Sequence, residues 1–260
     1  MTILHLFGAS IALNGIFFIF AAVLKSDFFT DITYSLSFIL LAILLLIFGH
    51  PVQAVPLTAL VLVIIWALRL GGYLFWRILH IKVDHRFDGR RENFISFGSF
   101  WFLQAVTVAI VMLPLYGIVT AAHRAPGLNP LVHVPLIILY ILGLLIESVA
   151  DFQKYRFKIR PENRNSFMRA GLWKYSRHPN YFGEILLWWS IALMGAPLFS
   201  GLEWLYLVGP LFITLLLLFV SGIPLLEKSA EKKWGSDPEY RAYRDTTSIL
   251  IPLAPKKRGA

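Results

Sequence analysis

The chain has 260 residues, of which 57% are hydrophobic and 15% are charged, and its mean hydropathy is +0.67. An ordinary soluble domain is about 45–50% apolar and about 25% charged, so this composition is that of a membrane protein. The chain contains no cysteine, which excludes disulfides, thiolate metal sites and cysteine nucleophiles. The formal net charge is +9, and its position along the chain is more informative than its size.

Seven segments are apolar over about the 20 residues that a helix needs to cross a bilayer. In chain order they are 4–24, 32–49, 54–75, 100–122, 133–153, 181–200 and 204–226. The first has neither a basic stretch before it nor a small-residue cleavage site after it, so we expect a membrane helix there and not a removed signal peptide. The sequence therefore predicts an all-α integral membrane protein, with a seven-transmembrane helix bundle as a single domain over 1–260.

The basic residues are concentrated in alternate connections. The segments 25–31, 76–99, 154–180 and 227–260 hold 22 of the 24 Lys and Arg residues. Because these segments follow the first, third, fifth and seventh helices, they share one face of the membrane, and positive charge favours the cytosolic face. We therefore expect the N-terminus outside and the C-terminus in the cytosol, and we interpret the net charge as a signal of orientation.

Four Arg, Asp or Glu side chains lie inside the predicted spans: Arg69, Glu147, Asp151 and Glu184. An ionisable group at the centre of a bilayer costs at least ~2.5 kcal/mol on insertion scales, so such residues are candidates for function. A buried polar network that only locks the helices together, with Arg69 paired to Glu147 or Asp151, is the alternative. A shared, water-accessible cavity that holds an anionic ligand accounts better for polar stripes in the cytosolic halves of three helices.

These stripes follow from the helical repeat, because residues three or four positions apart share one face of a helix. The stripe residues are Arg69 and Tyr73 on the third helix, Glu147, Asp151, Lys154 and Lys158 on the fifth, and Asn180, Tyr181, Glu184 and Trp188 on the sixth. Other patterns favour structural roles. The histidines show no metal-ligand spacing, Gly71-Gly72 lacks a G-x-G-x-x-G pattern, and His178 before Pro179 is equally well interpreted as a residue that begins a helix.

Residues 151–189 resemble the C-terminal signature of the steroid 5α-reductase family and its bacterial relatives; they read DFQKYRFKIRPENRNSFMRAGLWKYSRHPNYFGEILLWW. Sterol C=C reductases share a looser version of this stretch. Three further stretches resemble the bacterial branch of the family: WALRLGGYLFWRI at 66–78, VDHRFDGRREN at 83–93, and SGIPLLEK with KWGSDPEYRAYRDTTSILIP near the C-terminus. The resemblance covers most of the chain.

The resemblance implies a membrane reductase that binds NADPH from the cytosolic side and transfers hydride to the activated C=C bond of an enone. The substrate is expected to be a steroid-like or other lipid, held by the helices of 1–122, while 133–260, with the loop 154–180 and the C-terminal tail, holds the cofactor. The implied cofactor residues are Arg69, Tyr73, Glu147, Asp151, Lys154, Lys158, Trp173, Arg177, Asn180, Tyr181, Glu184, Glu227 and Tyr243. Lys and Arg suit phosphate oxygens, and amides and carboxylates suit ribose hydroxyls and the carboxamide.

One part of the family pattern is absent from this sequence. The steroid enzymes polarise the substrate carbonyl with a Gln-Glu pair after the second helix and a Tyr on the third, where this chain has Gln53-Ala54 and Trp66. Protonation of a developing enolate needs a positioned acid. The remaining catalytic candidates are Gln53, His50, Tyr73 and Tyr34. If none of these substitutes, the substrate is not a 3-oxo-steroid.

Two other functions are open. The R-H-P-x-Y-x-G element at 177–183 is also found in membrane methyltransferases of the isoprenylcysteine type, which use S-adenosylmethionine, although these carry a Glu-Glu pair where Glu227 is followed by Lys228. The missing acid and phenol also allow a non-catalytic lipid-binding relative. We expect contact with membrane lipids, no nucleic acid and no metal. The expected location is a bacterial inner membrane, or the endoplasmic reticulum in a eukaryote.

Overall fold

Among the residues that the structure describes, seven helical segments are long and apolar enough to cross a membrane. A computed structural model describes residues 1–26, 28–81, 89, 93–124, 127–163 and 165–256. Within them the spans are Ile3–Val23, Phe28–Gly49, Ala54–His80, Phe94–Thr120, Pro130–Lys158, Pro179–Leu198 and Gly201–Trp234. This confirms the predicted all-α integral membrane fold, with most spans a few residues longer than the hydropathy suggested. Most of the 83–93 motif lies outside the described residues, and the orientation of the termini stays a prediction.

The described residues form ten α-helices joined by turns and short 3-10 helices. They are α1 (Ile3–Val23), α2 (Phe28–Gly49), α3 (Ala54–Ile81), α4 (Phe94–Val111), α5 (Leu113–Thr120), α6 (Pro130–Lys158), α7 (Pro179–Met194), α8 (Val208–Leu215), α9 (Ile223–Trp234) and α10 (Pro238–Thr246). Side-chain caps explain several of the starts. Thr2, Asn93 and Asp237 each accept a backbone N–H bond in the first turn of the helix that follows.

Two of the seven spans are interrupted. Pro114, in the first turn of α5, has no N–H group with which to continue α4, so the fourth span breaks at Met112. The seventh span passes from α8 through a π-helical turn, Leu216–Val220, into α9. At Gly222 a Cβ atom would lie 2.4 Å from the carbonyl oxygen of Leu217, so only glycine fits this junction. The sequence indicated seven apolar segments, and these two breaks add bends that composition does not record.

The chain divides into two compact units. The first comprises Met1–His133 and Ile191–Gly209, and the second comprises Val134–Ser190 and Pro210–Ala260. The assignment of 1–122 to the substrate and 133–260 to the cofactor stays a prediction.

Buried polar side chains link the helices of the first unit. α1 packs on α2 and α4, and α2 also packs on α3. Between these helices Gln104 donates to Asn14 at 2.9 Å, and Asn14 donates to Ser37 at 3.1 Å. Ser10 donates to the backbone carbonyl of Ala105 at 2.8 Å. In a hydrocarbon environment such bonds satisfy groups that have no water, and they specify which helix faces which.

Two glycines allow α6 and α7 of the second unit to cross in backbone contact. A Cβ atom at Gly143 would lie 2.7 Å from the carbonyl oxygen of Gly183, and one at Gly183 would lie 2.5 Å from the carbonyl oxygen of Gly143. Small residues at such a crossing are typical of membrane helices, because van der Waals contact and not hydrophobic burial holds them together. The crossing lies one turn from Glu147 and next to Glu184, and it therefore fixes where the polar stripes of the two helices meet.

Candidate functional site

The predicted stripe on the fifth span lies on one unbroken helix. α6 continues to Lys158, so Glu147, Asp151, Lys154 and Lys158 all belong to it. Glu147 is 3% exposed and Asp151 is 7% exposed. Carboxyl groups are rarely buried this far and are costly in an apolar environment, which marks the helix as a candidate for function.

The stripe on α7 meets the stripe on α6. The Asn180 amide donates to a carboxylate oxygen of Asp151 at 3.3 Å. One turn further along α7, a Cβ atom at Gly183 would lie 2.7 Å from the backbone nitrogen of Glu147. The structure therefore brings together two residues, Asn180 and Asp151, that the sequence placed on separate helices.

Trp173 connects the end of α6 with the C-terminal region. Its side chain is buried, and the indole N–H donates to the carbonyl of Ala150 at 3.1 Å. The ammonium group of Lys154 lies 4.4 Å from the centre of the Trp173 ring, in the geometry of a cation–π contact. The Tyr243 hydroxyl donates to the Trp173 carbonyl at 2.7 Å, and burial raises the pKa of this phenol. Lys154, Trp173 and Tyr243, three predicted residues, thus lie together.

Glu227, on α9, binds two consecutive residues that precede α7. One carboxylate oxygen pairs with the guanidinium of Arg177, and the other lies 2.7 Å from His178 Nε2. Because a carboxylate only accepts, Nε2 carries the proton in this bond, and a neutral ring leaves Nδ1 as an acceptor. The His178 side chain is 5% exposed and stacks on the ring of Tyr181, with the centroids 5.7 Å apart. Burial lowers the pKa of His178, and the Glu227 carboxylate opposes that shift.

Two buried polar atoms beside this carboxylate have no hydrogen-bond partner among the described residues. They are Nε of Arg177 and Nδ1 of His178. Most buried polar atoms in proteins are paired with protein or water, so each exception calls for an explanation. An unsatisfied donor and an unsatisfied acceptor on consecutive residues fit a ligand that carries both an acceptor and a donor.

The remaining candidates lie in the first unit. The Arg69 guanidinium is 5.7 Å from the ring centre of Tyr73 on α3. His50 ends α2 with a positive φ of 44°, and the Gln53 side chain accepts from the backbone of Val52 at 3.2 Å. Trp66 is fully buried and packs edge-on against Phe38, with the centroids 4.9 Å apart. Trp66 is therefore a core residue.

Comparison with known proteins places the chain in a family. A family model described as a protein of unknown function, DUF1295, matches residues 17–247. The chain belongs to the DUF1295 family. An uncharacterised protein of Schizosaccharomyces pombe is 35% identical over 92 residues, which is 33% of this chain and 24% of that protein. The DUF1295 chain therefore spans about a quarter of the length of that relative. No solved structure matches the chain.

Sequence reasoning on this DUF1295 protein missed the role of His178. The residue was interpreted as a possible first residue of a helix, whereas the structure places it between Glu227 and Tyr181. The available signal was that two hydrogen-bond donors, Arg177 and His178, are neighbours in the sequence just before a membrane helix. Their acceptor is about 50 positions further along the chain, and no spacing rule connects residues so far apart.

Proposed function

We propose that this DUF1295 protein is an NADPH-dependent membrane reductase that transfers hydride to the activated C=C bond of a steroid-like or other lipid enone. The observation that carries the proposal is the polar cluster of the second unit, formed by Asp151, Lys154, Arg177, His178, Asn180 and Glu227. Such groups are costly in an apolar protein, so a cluster of them from α6, α7 and α9 indicates a ligand. The resemblance of residues 151–189 to the steroid 5α-reductases supports NADPH as that ligand.

The donor set of the cluster fits a dinucleotide phosphate. Lys154, Lys158 and Arg177 provide cations for phosphate oxygens. Asp151 and Asn180 share one hydrogen bond, and their carboxylate and amide groups are of the kind that binds ribose hydroxyls. The open Nε–H of Arg177 and the open Nδ1 of His178 add one donor and one acceptor at the same place.

The residues of the cluster would bind and orient the cofactor, whose bound form supplies the hydride. The Lys154 ammonium is held over the Trp173 ring, so it is positioned before any ligand arrives. Burial of Asp151 and His178 keeps bulk water from the donors that hold the cofactor. That hydride would reduce the β-carbon of the enone, and a protein acid would then protonate the α-carbon. Tyr73 and His50 stay the candidates for that acid on the ground of the sequence alone.

A methyltransferase is the second candidate function, and one observation favours it. In the isoprenylcysteine-type enzymes an acidic pair follows the last helix, and here Glu227 binds both the Arg and the His of the R-H-P element. The same carboxylate could therefore serve an S-adenosylmethionine site. The single acid in place of the pair favours the reductase.

The test is a measurement of thermal midpoint for the purified full chain with NADPH, NADH and S-adenosylmethionine in parallel. A ligand at 100 times its Kd stabilises a protein by ~2.7 kcal/mol, which raises the midpoint measurably. We expect a rise with NADPH. A rise with S-adenosylmethionine alone would overturn the reductase, and NADPH binding without turnover of any enone would indicate a non-catalytic relative.

The variants Asn180→Ala and Glu184→Gln test the site itself. Loss of one ligand hydrogen bond costs about 1 kcal/mol or more, so we expect NADPH affinity to fall at least fivefold in each. Asn165→Ala is the matched control, because Asn165 is exposed and its contact with Trp234 uses only the backbone carbonyl. Unchanged affinity in both site variants would remove this cluster as the cofactor site.

A further inference from the structure

The segment that follows α10 is hydrogen-bonded to the residues just before α7. The carbonyl of Ser248 accepts from the backbone of Arg177 at 2.8 Å, and the carbonyl of Leu250 accepts from the hydroxyl of Ser176 at 2.6 Å. The backbone N–H of Leu253 donates to the carbonyl of Tyr175 at 3.0 Å. Three bonds along six residues hold this segment as one edge of the second unit.

The tie places the segment at the boundary of the membrane. The span Pro179–Leu198 starts two residues after Arg177, so residues bonded to Arg177 lie at the level where apolar structure begins. Alternate side chains of the segment point away from the protein: Ile249 is 44% exposed, Ile251 is 52% exposed and Leu253 is 58% exposed. Exposed aliphatic side chains at this depth match the interfacial layer of a bilayer better than water.

A basic cavity adjoins this apolar edge. It has a volume of about 440 Å³, and its lining includes Lys174, Lys256, Arg169, Thr246 and Thr247. Arg169 also forms an ion pair of 2.7 Å with Glu239, the acid of the lining, so the surplus positive charge comes from the two lysines. Cavity and edge are continuous, because Lys174 precedes Tyr175 and Lys256 lies three residues after Leu253.

We propose that the cavity and the edge together bind one anionic phospholipid of the surrounding membrane. Its phosphate occupies the cavity between Lys174 and Lys256, and its acyl chains lie along Ile249, Ile251 and Leu253. Charge complementarity and the level of the segment both point to this occupant, since basic residues at a membrane surface attract anionic lipid. The inference does not depend on the reductase proposal.

The experiment is native mass spectrometry of the detergent-purified full chain with dioctanoyl-phosphatidylglycerol, dioctanoyl-phosphatidylcholine or inorganic phosphate. We expect the protein to bind phosphatidylglycerol at least tenfold more tightly than phosphatidylcholine, and to retain little inorganic phosphate. A cation near a membrane surface contributes about fivefold in affinity for anionic lipid, so Lys174→Gln with Lys256→Gln should weaken that binding about thirtyfold.

A matched control keeps the outcome interpretable. Lys228→Gln with Lys232→Gln removes the same charge from exposed positions of α9, outside the cavity, and should leave lipid affinity within twofold. Circular dichroism verifies that all variants keep their helices. Equal binding of the two lipids, or equal losses in both double variants, would overturn the proposal. If Lys174→Gln with Lys256→Gln lost NADPH binding and kept lipid binding, that result would also overturn the proposal and would assign the cavity to a phosphate of the cofactor.

Discussion

Glu227 is the residue on which the polar cluster of the second unit is centred. It receives Arg177 on one oxygen and His178 on the other, and both donors are largely buried. The Glu227 carboxylate and the Arg177 guanidinium have lost much of their hydration and interact with each other instead of with water. Neither charge is therefore stable there without its partner.

Removal of the Arg177 charge should therefore destabilise the protein. We expect Arg177→Gln to lower the free energy of unfolding by about 1–3 kcal/mol, because it leaves Glu227 with only the His178 bond. SDS titration of the purified protein measures this. Arg169→Gln is the matched control: its ion pair with Glu239 is exposed, and such pairs contribute about 0–1 kcal/mol. Equal losses in the two variants would contradict the central role of Glu227.

The lowered pKa of His178 makes a prediction about pH. The folded protein binds the imidazole proton less readily than the unfolded chain, whose histidine has a pKa of 6.5, so stability is complete above pH 6.5 and falls as the pH drops below it. Burial is the largest cause, and Lys154 and Arg177 add to it against the opposing Glu227. We expect the thermal midpoint to decline less steeply below pH 6.5 in His178→Gln, which keeps an N–H donor for Glu227. If the thermal midpoint fell equally with pH in the unmodified protein and in His178→Gln, a titratable group other than His178 would be responsible for the decline.

At the scale of single residues, the sequence was sufficient to predict which polar side chains share a helix face. It was insufficient to predict which residues those side chains contact. The spacing of Asp151, Lys154 and Lys158 placed them on one helix face, and α6 does carry all three. The Asn180–Asp151 bond depends on how α6 and α7 cross, and helical periodicity describes each helix by itself. The Glu227 contacts depend on folding across a whole span, which no local pattern encodes.

Among the elements, the crossing of α6 and α7 is the contact that positions the cluster. Its cause is the pair Gly143 and Gly183, each of which faces the backbone of the other helix. Neither glycine is distinguished by a pattern in the sequence, in which Gly71-Gly72 is the glycine pair that favours a structural role. Gly71 does lie against Ser35, whereas Gly72 has open space where its Cβ would be. Composition shows that glycines occur in membrane helices, and only the packed structure shows which of them face a neighbour.

A methyl group at this crossing should separate the two helices. We expect Gly183→Ala to destabilise the protein by about 1–3 kcal/mol, because the new Cβ would lie 2.5 Å from a backbone oxygen that has no freedom to move aside. Gly72→Ala is the control, and the higher helix propensity of alanine should leave the protein unchanged or slightly more stable. The measurement is the thermal midpoint of both variants. An unchanged midpoint in Gly183→Ala would mean that α6 and α7 are further apart than described.

For the whole molecule, hydropathy was enough to find seven spans, because hydrophobic length is a direct requirement of the bilayer. The break at Met112 and the π-helical turn near Gly222 were not predicted, since apolar residues fill straight and bent helices alike. The orientation follows only from the distribution of Lys and Arg and needs its own test.

The absence of cysteine makes that test simple, because a single introduced thiol is the only one to be labelled. We expect Ser236→Cys, in the exposed turn before α10, to be protected from a membrane-impermeant maleimide in spheroplasts and labelled after lysis. Leu202→Cys, at a position 82% exposed in the first turn of the seventh span, should be labelled in both. The reverse pattern would invert the topology and place the polar cluster on the opposite face.

The distance along the chain between Arg177 and Glu227 also sets an order of events during biosynthesis. The two residues are 50 positions apart, with the sixth span and most of the seventh between them. At about 5–20 residues per second, a ribosome needs roughly 3–10 s to synthesise that interval. Throughout this time Arg177 and His178 stand at the membrane surface without their acceptor, exposed to quality-control proteases. The cluster is therefore completed late in translation, and slow insertion of the seventh span would reduce the yield of protein in the cell before it affected any reaction.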